Sequence, residues 1–261
     1  MKLLFIVAVL ALAGCNSADK TENAHMPGAY KMLSQSVKNS KIDTSSSSMQ
    51  QLKIYTDDYM MYANFNPADS ISGFGIGTYT SNKDTVTENV MYSANDTSKN
   101  ENGGSFKLLI EKTANGYKQV IPDIEFAGEP TKLTEEYSAE KSTTKSPLDG
   151  AWKEVKAYWI KGTDSTITTN TQFKIYHDGY FIFGHTYSDS ANVSHTGMGY
   201  GSFAMTGNNK SKETVMASTY YQIRGKDVDV EIEMVGNDEY KQTIINEDGT
   251  KGVEIYQRLK K

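Results

Sequence analysis

The chain has a single cysteine, five prolines and four histidines among 261 residues. One cysteine excludes an intramolecular disulfide framework and any zinc site built on thiolates. There is no basic excess: 27 Lys and Arg stand against 32 Asp and Glu, a formal charge of −5. A nucleic-acid partner is therefore not expected, because neutralising phosphates takes clustered cations. Beyond residue 14 no apolar run approaches the roughly 20 residues that a membrane-spanning helix needs. Sustained helical periodicity is missing as well. What the chain does have is 17 Tyr, 9 Phe and 21 Gly, with charged residues at a level typical of a folded domain rather than a disordered tail.

The lone cysteine has a distinctive setting. Lys2 precedes an apolar run over residues 3–13 that is too short to cross a bilayer, and the run ends in Leu12-Ala13-Gly14-Cys15. This resembles the lipobox of bacterial lipoproteins. The resemblance implies removal of residues 1–14 as a signal peptide and acylation of Cys15, which would tie the protein to a membrane. One acyl chain anchors marginally and three hold firmly. Residues 15–27 would be a polar tether. Asn16 stands where an aspartate would mark inner-membrane retention in some bacteria, so the expected location is the cell envelope, at the outer membrane of a Gram-negative bacterium. The alternative is an ordinary secretory signal with an incidental cysteine.

The rest of the chain is written twice. Gly28-Ala29-Tyr30-Lys31 returns as Gly150-Ala151-Trp152-Lys153. Gln51-Leu52-Lys53-Ile54-Tyr55-Thr56-Asp57 returns as Gln172-Phe173-Lys174-Ile175-Tyr176-His177-Asp178. Gly73, Gly75 and Gly77 return as Gly197, Gly199 and Gly201, and three further matches follow in the same order, all offset by 119–125 residues. The reading is a first domain over 28–141, a linker over 142–149 and a second domain over 150–261.

In the second copy, segments 152–160, 172–177, 180–187, 195–205, 212–220, 227–235, 240–246 and 253–259 are rich in β-branched and aromatic residues. Turn signals such as Asp178-Gly179 and Asp248-Gly249 separate them. Eight short strands joined in sequence predict an all-β fold of two tandem eight-stranded antiparallel up-and-down barrels, whose closure removes exposed edges. A β-sandwich is the alternative, and it would need crossovers longer than these turns. Gly150-x-Trp152 with Arg258 on the last strand resembles the lipocalin pattern. That resemblance implies a structural end-cap in which the cation of Arg258 lies across Trp152. The ordered set of motifs is similar to the lipocalin-like domains of uncharacterised bacterial lipoproteins. Copy one departs from it, with Tyr30 for the Trp and Ala139 for the Arg, and reads as the degenerate half.

Several constellations invite chemistry. The Gly-x-Gly-x-Gly segments lie within a strand, not between a strand and a helix, so they do not form a phosphate cradle; they allow coiling or leave room beside an aromatic. His185 and His195 could oppose each other across a hairpin, but their counterparts Asn64 and Ile71 do not ligate metals, and no metal or cofactor is expected. Glu213 and Glu254 could form a general acid–base pair. Their bland reading is an interior ion pair with Arg258. Without a nucleophile, metal or oxyanion hole, an enzyme is not expected. Three short segments (Asp69-Ser70-Ile71, Asp84-Thr85-Val86 and Asp189-Ser190-Ala191) resemble acceptor motifs of a surface O-glycosylation system.

The aromatics of strands three and four suggest a pocket for a small apolar or amphipathic ligand, with Phe181, Phe183, Tyr187, Tyr200 and Glu213 as lining. On strand three both faces are aromatic, so the other face is expected to meet the partner barrel. The sequence thus points to a membrane-anchored, ligand-binding lipoprotein. The alternatives are an interaction module with filled barrels and, third, a hydrolase using interior carboxylates.

Overall fold

A computed structural model describes residues 26–261 except 69, 70, 96, 97, 102, 127 and 169. Cys15, the leader, nearly all of the tether and the Asp69-Ser70 pair lie outside the described residues. The first domain runs β1 (Gly28–Lys38), β2 (Asp43–Ser46), β3 (Gln50–Tyr55), β4 (Tyr59–Phe65), β5 (Ser72–Asn82), β6 (Thr85–Asn95), β7 (Ser98–Asn100), β8 (Gly104–Thr113), β9 (Gly116–Phe126) and β10 (Glu129–Ala139). The second runs β11 (Gly150–Lys161), β12 (Asp164–Thr168), β13 (Asn170–His177), β14 (Tyr180–Ser188), β15 (Ser194–Gly207), β16 (Lys210–Ser218), β17 (Asp227–Val235), β18 (Glu239–Ile245) and β19 (Lys251–Arg258).

Both domains are closed eight-stranded antiparallel barrels. Leaving aside short β2, β7 and β12, each strand pairs with the next along the chain, and β1 with β10, and β11 with β19, close the two circuits. Short β7 lies outside the first circuit, on β6. The sequence placed plain loops after each first strand. Instead the chain folds back there as short hairpins, β2 on β1 and β12 on β11, because Thr166-Ile167-Thr168 and Asp43-Thr44 supply β-branched residues beside a turn.

Alternation shapes the walls. Along β16, Ser211, Glu213, Val215 and Ala217 are buried while Lys212, Thr214 and Met216 are exposed. By contrast β5 is buried on both faces over residues 72–77, and β14 over residues 180–182. Their outer faces pack against the other barrel in one apolar layer, with Ile54, Met61 and Phe74 meeting Phe173, Ile182, Met198 and Tyr200. Such face-to-face contact is ordinary β-sheet stacking. Gly184 is required here, since a Cβ on it would overlap the Phe74 ring. Across the same layer Tyr92 and Thr186 share a hydrogen bond of 2.5 Å between hydroxyls. The linker is docked on the second barrel: Thr143 N donates to Asp178 O at 3.0 Å, and Leu148 is fully buried.

Candidate functional site

The candidate site lies at one end of the second barrel, and its floor is a buried polar network. On β13 the alternation points Gln172, Lys174 and Tyr176 inward. Lys174 Nζ lies 3.1 Å from Glu213 Oε1 and 3.0 Å from Gln242 Oε1. Tyr176 donates to Glu213 at 2.9 Å. Gln242 Nε2 donates to Glu254 Oε2 at 2.7 Å, Gln172 Nε2 to the same oxygen at 3.0 Å, and Tyr256 donates to it as well. The first barrel repeats the arrangement. Lys53 meets Glu88 at 3.1 Å and Gln119 at 3.3 Å, while Glu135 accepts from Gln119 at 2.5 Å and from Tyr137 at 3.0 Å. Burial raises the Glu135 carboxyl above the ordinary range, against the lowering pull of Lys53. The partner of Glu213 is therefore Lys174, and Arg258 takes no part. A buried charge needs a partner, and the sequence signal for it was Lys at the centre of the repeated Gln-x-Lys-x-Tyr.

Arg258 is at the opposite end. Its guanidinium lies 4.0 Å from the Trp152 ring centroid, with Nη1 donating to Asp149 O at 2.6 Å and Nε to Asn237 O at 2.7 Å. Trp152 is fully buried, and its Nε1 donates to Leu148 O at 2.7 Å. In the first barrel Tyr30 pairs with Ala139 in that position and sets its ring edge-on to Tyr117, 4.9 Å away.

The end away from Trp152 is open. A cavity of about 490 Å³ is lined by Ala157, Tyr158 and Trp159 of β11, Asn170 and Gln172 of β13, His185 and Tyr187 of β14, Tyr220, and Gly252 and Glu254 of β19. The matching positions in the first barrel carry different bulk. Gln35 stands for Ala157, Leu133 for Gly252 and Met49 for Asn170, and Met49 packs down onto that barrel's interior. The second copy thus carries smaller side chains at these three positions of its mouth. Gly252 in particular leaves a seat for the Trp159 ring, which lies against it.

The five residues proposed from sequence as pocket lining are not brought together. Only Tyr187 lines the cavity, 38% exposed. Phe183 stacks on Tyr220 beneath it, ring centroids 6.5 Å apart. Phe181 is in the sealed core with Tyr176 and Phe203, and Glu213 is engaged by Lys174. Tyr200 faces the other barrel, because the glycines flanking it occupy the inward face of β15. Those glycines provide the room expected of them. Side chains on Gly197 and Gly199 would collide with His185 and Phe183, whereas Gly201 sits at a β-bulge against Thr214.

His185 and His195 do not face each other: His185 is opposite Gly197, and His195 opposite Tyr187. His195 Nε2 bonds Asp189 Oδ2 at 2.9 Å. His185 is tied on both nitrogens. Gln172 Oε1 at 2.6 Å can only accept, so Nδ1 carries the proton, and Nε2 accepts from the Tyr220 hydroxyl at 2.5 Å. Burial lowers its pKa to about 4, so the ring is neutral at pH 7. Among the described residues no group of three or more His, Cys, Asp or Glu side chains is placed to hold a metal. Glu154, beside the mouth, stands where the first barrel has Met32. Its carboxyl is pushed up to about 7, first by burial and then by Glu254, with Asn170 donating to it at 3.3 Å.

No protein-family model matches the chain, and no curated protein sequence matches it. Among solved structures it is similar to the crystal structure of a "putative outer membrane protein" from Bacteroides fragilis. The match covers 90% of this chain and 98% of that one, at 12% identity and a TM-score of 0.26.

Proposed function

We propose that this chain is a lipocalin-like lipoprotein of the cell envelope, tethered through Cys15, whose second barrel binds a small amphipathic ligand at its open mouth without transforming it. One observation carries the binding half of this reading. The two barrels share their floor and their network, yet the second has exchanged Gln35, Leu133 and Met49 for Ala157, Gly252 and Asn170 around the rim. Smaller side chains at these three rim positions, combined with an aromatic wall of Trp159 and Tyr187, are what a small-ligand site needs. The Arg258–Trp152 contact supports the lipocalin-like assignment, and the lipobox-like leader supports the anchor. A non-catalytic role is favoured because Glu213 and Glu254 are held by Lys174, Gln172, Gln242 and Tyr256.

The filled interior also supports a second reading, an interaction module with no ligand. Two measurements separate the readings. Ligands pulled down with the wild-type chain and released on denaturation, seen as extra mass under native conditions, support binding. A clean mass together with unshifted mouth resonances across a panel of amphiphiles would leave the module reading. For the anchor, Cys15→Ser is expected to move the protein from the membrane to the soluble fraction of cells, and unchanged membrane retention would refute lipidation there.

A further inference from the structure

The charge and hydrogen-bonding state of the mouth says what kind of head group it accepts. Among the described residues no Lys or Arg lines the cavity. The interior cation, Lys174, is already engaged by Glu213 and Gln242. Lys156, close to the rim, is exposed and lies 5.5 Å from the Tyr158 ring centroid. His185, held between Gln172 and Tyr220, brings no positive charge.

Polar capacity at the floor is also nearly spent. Gln172 uses its amide nitrogen on Glu254 and its oxygen on His185, and His185 uses both nitrogens. Asn170 turns its amide to Glu154. One strong acceptor remains. Glu254 takes its three donors on Oε2, and no donor among the described residues reaches Oε1. The floor offers a sugar little, and the hydroxyls of Tyr158, Tyr187 and Ser188 on the walls are what a carbohydrate probe would have to use. A fatty acid or other anion would meet the Glu254 carboxylate, with no cation among the described lining residues to receive it. An ammonium group would supply the missing donors to Glu254 Oε1, and the ring faces of Trp159 and Tyr187 attract cations as well as apolar stems. The overall charge of −5 draws cations toward the protein rather than away from it.

The geometry points to a site for a small organic ammonium ion with an apolar body, its head on Glu254 and its stem against Trp159 and Tyr187. This rests on the reading of the mouth as a binding site. The ring positions carry the same message: Trp159, Tyr187 and Tyr220 stand where the first barrel has Val37, Asn66 and Asn95, so the aromatic wall and the space arrived together.

The test uses the full chain carrying Cys15→Ser and four probes: hexylammonium, hexanol, hexanoate and maltotriose. Trp159 is 47% exposed at the mouth while Trp152 is buried at the far end, so tryptophan fluorescence reports the mouth, and amide NMR shifts locate the site. Hexylammonium is expected to bind at least tenfold more tightly than hexanol, with hexanoate weakest. Glu254→Gln should remove that preference, bringing hexylammonium down to the affinity the same variant shows for hexanol. Should Glu254→Gln fail to fold, Trp159→Leu serves instead, read by amide NMR shifts because the fluorescent reporter is gone; it keeps an apolar wall and removes the ring face. It should weaken hexylammonium binding several-fold and hexanol binding little. Equal or tighter binding of hexanol or hexanoate overturns the ammonium assignment and leaves the mouth as a binding site. Shifts with maltotriose alone replace it with a carbohydrate site. No response from Trp159 or the mouth residues to any probe overturns both.

Discussion

Replacing Lys174 by Met removes a buried cation while keeping most of the apolar volume. In the wild type its ammonium lies 3.1 Å from Glu213, with the two side chains 3% and 6% exposed. At an effective dielectric of about 20 that separation corresponds to roughly 5 kcal/mol of attraction. Most of it is offset by the cost of taking both charges out of water, and loss of one partner typically costs about 3–5 kcal/mol. The stranded carboxyl has one escape, to take up a proton. At pH 7 that costs about 1.36 kcal/mol for each unit between the pH and an ordinary glutamate value near 4.3, or roughly 3.7 kcal/mol. At pH 5 the same escape costs only about 1 kcal/mol. The variant's Glu213 therefore has a folded-state pKa above its unfolded value, and the Lys174→Met deficit grows as pH rises through that window. Urea unfolding at pH 7 should show a loss of about 3–4 kcal/mol, a midpoint shift of more than about 1 M for a slope of 2–3 kcal/mol per M. At pH 5 much of the loss should vanish. Lys174→Met with Glu213→Gln should restore most of the stability at pH 7, since no buried charge is left. A deficit below about 1 kcal/mol at pH 7, or one equal at pH 5 and 7, would refute the account of Lys174 as the obligatory counter-charge.

Glu154 gives a pH signature of its own. Its raised pKa of about 7 means that ionising it costs folded-state stability, a cost absent below the unfolded value and complete above pH 7. Glu154→Gln should gain stability relative to wild type as pH rises from 5 to 8, by about 1–2 kcal/mol after allowing for screening at the mouth, and parallel pH profiles would contradict this. For His185, with its folded pKa depressed to about 4, imidazole nitrogen shifts at pH 5.5 should show the neutral, Nδ1-protonated ring. The stability it contributes is present above an unfolded value near 6.5 and lost as pH falls toward 4, so a charged ring at pH 5.5 would remove the Gln172–His185–Tyr220 relay. Gly184→Leu should drive the Phe74 ring out of the layer between the barrels. Each barrel is expected to keep its β-sheet circular dichroism while the linker over 142–149 becomes sensitive to protease. Unchanged cleavage would show that the layer is not what holds the barrels together.

The fold was legible because its signals are local and repeated. Turn dipeptides punctuate the strands, two copies fix the count, and eight short strands have few other ways to close. The Trp152 and Arg258 pair could be placed on paired strands for the same reason. The site was harder to read. Tyr180, Phe181 and Phe183 are all aromatic on successive faces of β14, so composition could not say which side was inside, and Tyr200 was assigned to the wrong side of β15. The mouth depends on what is missing: Ala157 and Gly252 announce nothing by themselves, and they become informative only when set against Gln35 and Leu133. Lys174 was visible in both copies but read as part of a strand motif, because a buried lysine is identified by its partners, which are 39 and 68 residues further along the chain.

A β wall is only one residue thick. On β13 and β14, Gln172 and His185 belong to the floor of the second barrel's mouth, while Phe173, Gly184 and Thr186 between and beside them lean on Phe74 and Tyr92 of the first. The two halves of this protein thus touch through the same short stretch of backbone that carries the cavity floor. A ligand seated in the mouth, as proposed, would press on the same strands that seat one barrel on the other.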